Sequence, residues 1–142
     1  MRERDRYDLQ RFVDAQRSYA QVVAELKAGH KQSHWIWYIF PQLDGLGSSF
    51  MAQRYAISGL DEAKAYDAHP LLGERLRECT RLVTAAGAER IEDVLGFPDN
   101  LKFHSSMTLF AHAANDNAVF KDALNKYYRG EYDPLTMAGL KG

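Results

Sequence analysis

Apolar side chains in this chain recur every three or four residues, the period of an α-helix rather than of a strand. Phe12, Gln16, Tyr19, Val23 and Leu26 trace one such face, and Leu72, Leu76, Cys79 and Val83 trace another. Phe120, Leu124 and Tyr127 trace a third. Start and stop residues punctuate these stripes. Asp8 and Gly29 bound a first helix, whose Arg11, Arg17, Glu25 and Lys27 suit the wet side. Ser33 is placed to cap an apolar helix over 34–40, which Pro41 ends. A helix over 49–57 follows, then a short one capped by Asp61, then one with Pro70 in its first turn that ends near Gly87. Ile91, Val94 and Leu95 add a further turn or two. Asp99 and Asp116 cap two more helices, over 99–114 and 116–128, and Asp133-Pro134 opens a last fragment. Residues 102–110 admit a strand reading through Phe103, Met107 and Leu109, but Ser105 breaks the alternation and β-branched residues are few. The expectation is an all-α fold: a single compact orthogonal multi-helix domain of about seven or eight helices across 1–142.

The 142 residues are enough for one core without covalent staples. Aromatic residues are spread along the chain, which argues against long disorder. Eighteen basic residues against 19 acidic ones leave a formal charge of −1, so no basic excess announces nucleic acid or a membrane surface. The longest apolar run, 35–41, falls far short of the ~20 residues that a spanning helix needs. The charge-dense start over 1–8 lacks the apolar stretch of a secretory signal, and a cytoplasmic location follows by elimination. Cys79, the only cysteine, can form neither an intrachain disulfide nor a cysteine cluster, and it lies on an apolar stripe as a buried thiol would. His30 and His34 are four apart, but Gly29 and Ser33 break any helix across both, and no metal or cofactor is expected.

One string is distinctive: Gly29-His30-Lys31-Gln32-Ser33-His34-Trp35-Ile36-Trp37-Tyr38-Ile39-Phe40-Pro41-Gln42, followed by Gly45-Leu46-Gly47. It resembles the bacterial family known as domain of unknown function eighteen-ten, whose members often carry the label calpastatin. Arg11-Phe12-Val13, His69-Pro70, Leu72-Gly73, Glu78-Cys79 and the run Ser105-Ser106-Met107-Thr108-Leu109-Phe110 extend the likeness along nearly the whole chain. The resemblance implies a mainly helical domain of about this length and no established activity.

Two polar strings are the candidates for chemistry. Around the apolar run, Lys31 supplies a charge, Trp35 a stacking face and Gln42 a two-way hydrogen-bonding amide, with Ser33 and His34 alongside. In the later helix, Asp99, Lys102 and Ser106 share one edge, and Ser105 adds a second hydroxyl. A Lys beside a Ser can activate it once burial depresses the amine. The structural alternative is that Ser33 and Asp99 only cap, Lys102 pairs with Asp99, and the hydroxyls allow close helix packing. The turn at Gly45 and Gly47 lacks the Lys of a phosphate-binding loop and reads as a turn with a cap.

The functional reading is a pocket between the 30–42 and 99–108 segments that binds or processes a small anionic, nucleotide-like ligand. His34, Lys102 and Ser106 are its catalytic candidates. Lys31, Ser33, Trp35, Gln42, Asp99 and Ser105 are its binding candidates. The alternative is a non-catalytic interaction or accessory domain, such as a homodimer, with exposed Trp and Tyr marking the partner face.

Overall fold

A computed structural model describes residues 5–141; the first part of the charged start, 1–4, lies outside the described residues. The helices in chain order are α1 (Gln10–Ala15), α2 (Tyr19–Lys27), α3 (Ile36–Ile39), α4 (Phe50–Arg54) and α5 (Leu60–Ala68), then α6 (Leu72–Ala85), α7 (Ile91–Leu95), α8 (Asp99–Ala113), α9 (Ala118–Tyr128) and α10 (Pro134–Lys141). Among the described residues the only β-type pairing is an isolated bridge between Leu43 and Ile57, so the fold is all-α. No described helix is long and apolar enough to cross a membrane.

The centre is α8. Its face from Ser105 to Phe110 is buried without a gap, together with Phe103, Ala111 and Ala113. Neighbours pack against it from several directions: α5 and α9 most extensively, with α3, α7 and α10 on the remaining sides. Aromatic edges lock these contacts. Phe40 meets Phe103 at 4.8 Å between centroids, Tyr66 meets Phe110 at 5.5 Å, and Phe120 meets Phe110 at 5.8 Å. The helix reading of 102–110 therefore holds, and the weak amphipathicity that admitted a strand is the mark of a helix buried nearly all round. On α6, Leu72, Leu76, Cys79 and Val83 are buried as their spacing predicts. Gly73 lets α6 cross the end of α5 at close range, since any Cβ there would collide with the Asp67 carbonyl.

The first helix departs from its expected form. A 3-10 turn, Gln16–Ser18, divides it into α1 and α2 and shifts the helical phase, so Val22 rather than Val23 joins Leu26 in the core. Asp8 has φ 53° and does not cap; Asp5 does, accepting from the Leu9 amide at 2.6 Å and the Gln10 amide at 3.2 Å. At α5 the helix begins behind Gly59. Glu62 rather than Asp61 closes that end, accepting from the Ser58 amide at 2.9 Å and hydroxyl at 2.8 Å. His69 caps α6 through Nδ1, which accepts from the Leu71 and Leu72 amides.

Two charged residues expected on the wet side are interior anchors. The Arg11 guanidinium lies over the Phe12 ring and donates to the carbonyls of Tyr7, Asp8, Arg54 and Ala56, and to Glu62 Oε2 at 2.9 Å. It thereby ties the chain before α1 to the turn before α5. Glu25 is buried at the end of α2 and gathers the next segment. It accepts from the Gln32 amide at 2.8 Å, the Ser33 amide at 3.0 Å, the Ser33 hydroxyl and the Trp35 indole N–H at 2.9 Å. Burial alone would push its carboxyl up, but these donors together outweigh it and bring the group down to about 2.

Replacing Arg11 by Lys leaves most of those acceptors unpaired, because one ammonium cannot reach a fork of carbonyls. The expected loss is about 3 kcal/mol in urea unfolding, with a loss below ~0.5 kcal/mol counting against the anchor role. Glu25→Gln should cost a similar ~3 kcal/mol at neutral pH, through lost charged acceptors at a buried site. Because the folded carboxyl lies below its ordinary 4.5, its contribution is present above that value and fades as pH falls toward 2. The gap between wild type and variant in unfolding free energy should therefore narrow from pH 4.5 downward; a gap constant to pH 2 would contradict it.

Candidate functional site

The two polar strings do meet, though not as capping and local pairing predict. Asp99 is the first residue of α8, behind Pro98, and its side chain makes no capping bond. It pairs instead with Lys31, Nζ to Oδ2 at 2.7 Å, both side chains largely buried. Lys31 Nζ also lies 5.0 Å from the Trp35 ring centroid, and the Lys31 amide donates to the Val94 carbonyl at 2.7 Å. This ion pair fastens the loop before α3 to the start of α8. The pairing of Lys102 with Asp99 is thus replaced by Lys31, from a segment remote in sequence.

Several predicted residues are absorbed by structure here. Trp35 is 1% exposed, and its ring has no free face on which a ligand could stack. Ser33 does not cap α3, which begins behind Trp35 without a side-chain cap; its hydroxyl donates to Glu25. The short helix expected over 34–40 contracts to four residues for that reason: Glu25 pulls 32–35 out of helical geometry. His34 is exposed. Ser106 is 0% exposed, and its Oγ has no hydrogen-bond partner among the described residues. Neither His34 nor Ser106 lines the hollow described next, so the catalytic trio with Lys102 is not assembled around one space.

Gln42, Lys102 and Ser105 do share a space. They line a hollow of about 330 Å³ between the 42–47 loop, the first turns of α8 and the start of α10. Its other walls include Leu46, Leu101, Leu135, His104 and Asp133. Gly47 also borders it, held so close to Ala52 that a Cβ would overlap the Ala52 side chain. Ser105 Oγ sits within 2.7 Å of Asp133 Oδ2, and that oxygen also accepts from the Thr136 hydroxyl at 2.6 Å and amide at 3.3 Å. His104 stacks on Tyr128 at 4.0 Å between centroids, with Nε2 2.8 Å from the Glu131 carbonyl. The carbonyl requires the proton on Nε2. Among the described residues, Lys102 and Asp133 form no ion pair.

Sequence reasoning missed Asp133 and His104. Asp133 was visible as the residue before Pro134, a helix-start signal, but nothing local says that its carboxylate also reaches α8. Cys79 is fully buried, and burial pushes its thiol up to about 12, which leaves it an inert core group. Among the described residues, no three His, Cys, Asp or Glu side chains are grouped as metal ligands would be.

The model of the family described as "Protein of unknown function (DUF1810)" matches residues 6–140. Among solved structures, the chain is similar to the conserved hypothetical protein Rv1873 from Mycobacterium tuberculosis. The two are 54% identical, the match covers 97% of this chain and 99% of that one, and the TM-score is 0.95. No curated protein matches. The chain therefore belongs to the DUF1810 family.

Proposed function

We propose that this protein binds a small anionic ligand in the hollow between the 42–47 loop and the first turns of α8. The observation that carries the reading is the meeting of Gln42 with Lys102 and Ser105, from a segment remote in the chain, around one solvent-reachable space with an ammonium on its wall that has no ion pair among the described residues. Lys102 supplies the charge for the anion, and Gln42 an amide that both donates and accepts. Leu46, Leu101 and Leu135 supply apolar walls for the rest of the ligand. The size is modest. At ~30 Å³ per water the hollow corresponds to on the order of ten waters, enough for one ring system or its equivalent rather than a whole dinucleotide. Binding is the reading that the geometry favours over catalysis, since His34 and Ser106 stand outside the hollow.

The second reading is a non-catalytic interaction domain. It draws on large apolar side chains left in water close to the same mouth: Phe97 is 76% exposed, Leu101 53% and Leu135 67%. Trp is not among the exposed large side chains, whereas Tyr132 is 38% exposed, so the partner face of this reading draws on Tyr with Phe and Leu.

A thermal-shift screen with carboxylates, sugar phosphates and nucleotides separates the two. A ligand present at a hundred times its Kd stabilises by about 2.7 kcal/mol, a rise of several degrees for a chain of this size. The rise should vanish in Lys102→Ala, whose own melting point stays within a degree of wild type because Lys102 holds no structural pair. A panel without a single shift, together with dimerisation by light scattering that Phe97→Ser abolishes, would replace the first reading by the second.

A further inference from the structure

Lys102 and Asp133 carry opposite charges, line one hollow, and do not close on each other. Asp133 is the fixed partner of the two. Its Oδ2 is committed to Ser105 on α8 and to the Thr136 amide and hydroxyl in the first turn of α10, and these bonds hold the carboxylate in place. Its Oδ1 takes no hydrogen bond among the described residues. Ser105 cannot supply that missing bond, because its hydroxyl proton is already shared between Asp133 Oδ2 and the Leu101 carbonyl. The wall of one hollow therefore carries a carboxylate held by its own hydrogen bonds and the cation of Lys102, and Leu46, Leu101 and Leu135 line the same space. A ligand bearing only an anion would satisfy Lys102 and leave the Asp133 charge facing it. A polyanion would suffer that repulsion most.

We infer that the ligand of this hollow is bipolar: an amino-acid-sized zwitterion whose carboxylate pairs with Lys102, whose ammonium donates to Asp133 Oδ1, and whose apolar body lies on the leucine walls. The inference rests on the anion-binding reading above and narrows it. The volume agrees, since about 330 Å³ takes on the order of ten to fifteen heavy atoms. Among ligands of this size, an amino acid with an aliphatic or aromatic side chain answers the charge pair and the apolar walls together.

The test is calorimetric titration of the full chain with L-phenylalanine and its two single-charge relatives, 3-phenylpropanoate and 2-phenylethylamine, with inorganic phosphate as a further anion. The zwitterion should bind at least tenfold more tightly than either relative, and Lys102→Met should reduce its affinity at least tenfold. Asp133→Asn should remove the preference for phenylalanine over 3-phenylpropanoate. Because Asp133 also caps α10, that variant can lose its fold, and the comparison of the three probes on the wild-type protein then carries the test unaided. Equal affinity for phenylalanine and 3-phenylpropanoate, both lost in Lys102→Met, overturns the bipolar inference and leaves the anion site standing. Tighter binding of phosphate than of phenylalanine has the same meaning. No binding by any probe overturns both.

Discussion

A helix buried on nearly every face is the constraint from which this architecture follows. The α8 segment carries Phe103, Met107, Leu109 and Phe110 beside Ser105, Ser106 and Thr108, and all of them are buried, Ser105 at the edge of the hollow. Such a helix cannot be covered by one partner. It needs neighbours all round, and α3, α5, α7, α9 and α10 supply them. The hydroxyls on α8 are the counterpart of that crowding. Small side chains let neighbours approach, and Thr108 and Ser105 return their protons to carbonyls one turn back. Thr108 Oγ1 then accepts from the Asp133 amide at 2.9 Å, which seats the chain entering α10 against α8. Of these hydroxyls, that of Ser106 has no partner among the described residues.

Around this centre the short helices are held less by their own propensity than by buried charges. Several of them, α3, α4 and α7 among them, are a turn or little more, too short to persist alone. Arg11, Glu25, Glu62 and the Lys31–Asp99 pair hold the loops between them, each through hydrogen bonds to backbone or through a partner remote in sequence. Arg11, Glu25 and Glu62 each gather several donors or acceptors at once, the condition under which a charge can be buried without a net loss, and Lys31 and Asp99 compensate each other. The pattern also explains why α3 stops short of its predicted start. Glu25 binds amides that a longer helix would have used otherwise, and the chain over 32–35 follows the carboxylate instead.

The helical class, most helix positions and the apolar stripes were legible in the residues, because period and punctuation are local signals. The anchors were not. Arg11 and Glu25 fall on polar edges of their helices, and nothing within a few residues says that a second segment will fold over them. The 3-10 turn after α1 was hidden for a related reason: the residues through it are ordinary helix formers, and only the tertiary fit changes the phase there. The two polar strings meet through Lys31 and Asp99. What the sequence could not say is which members would meet whom. Lys31 and Trp35, the most suggestive pair, are spent on holding the loop to α8, whereas Gln42, Lys102 and Ser105 reach the hollow.

The two ends of that hollow differ in kind, and the difference follows from the fold. Asp133 is set before any ligand arrives, since the bonds that cap α10 and reach Ser105 also fix the direction of its free oxygen. Engaging it costs little further ordering, so it is suited to discrimination. Lys102 stands in the first turn of α8 on a long aliphatic stem, which the proposed binding would have to order. It is suited to attraction, which tolerates imprecise geometry and weakens with salt. In the binding proposed above, a site divided in this way would select on the group that meets the rigid acid and gain reach from the base. The same bonds that hold α10 against α8 thus fix one of the two charges on the wall of the hollow.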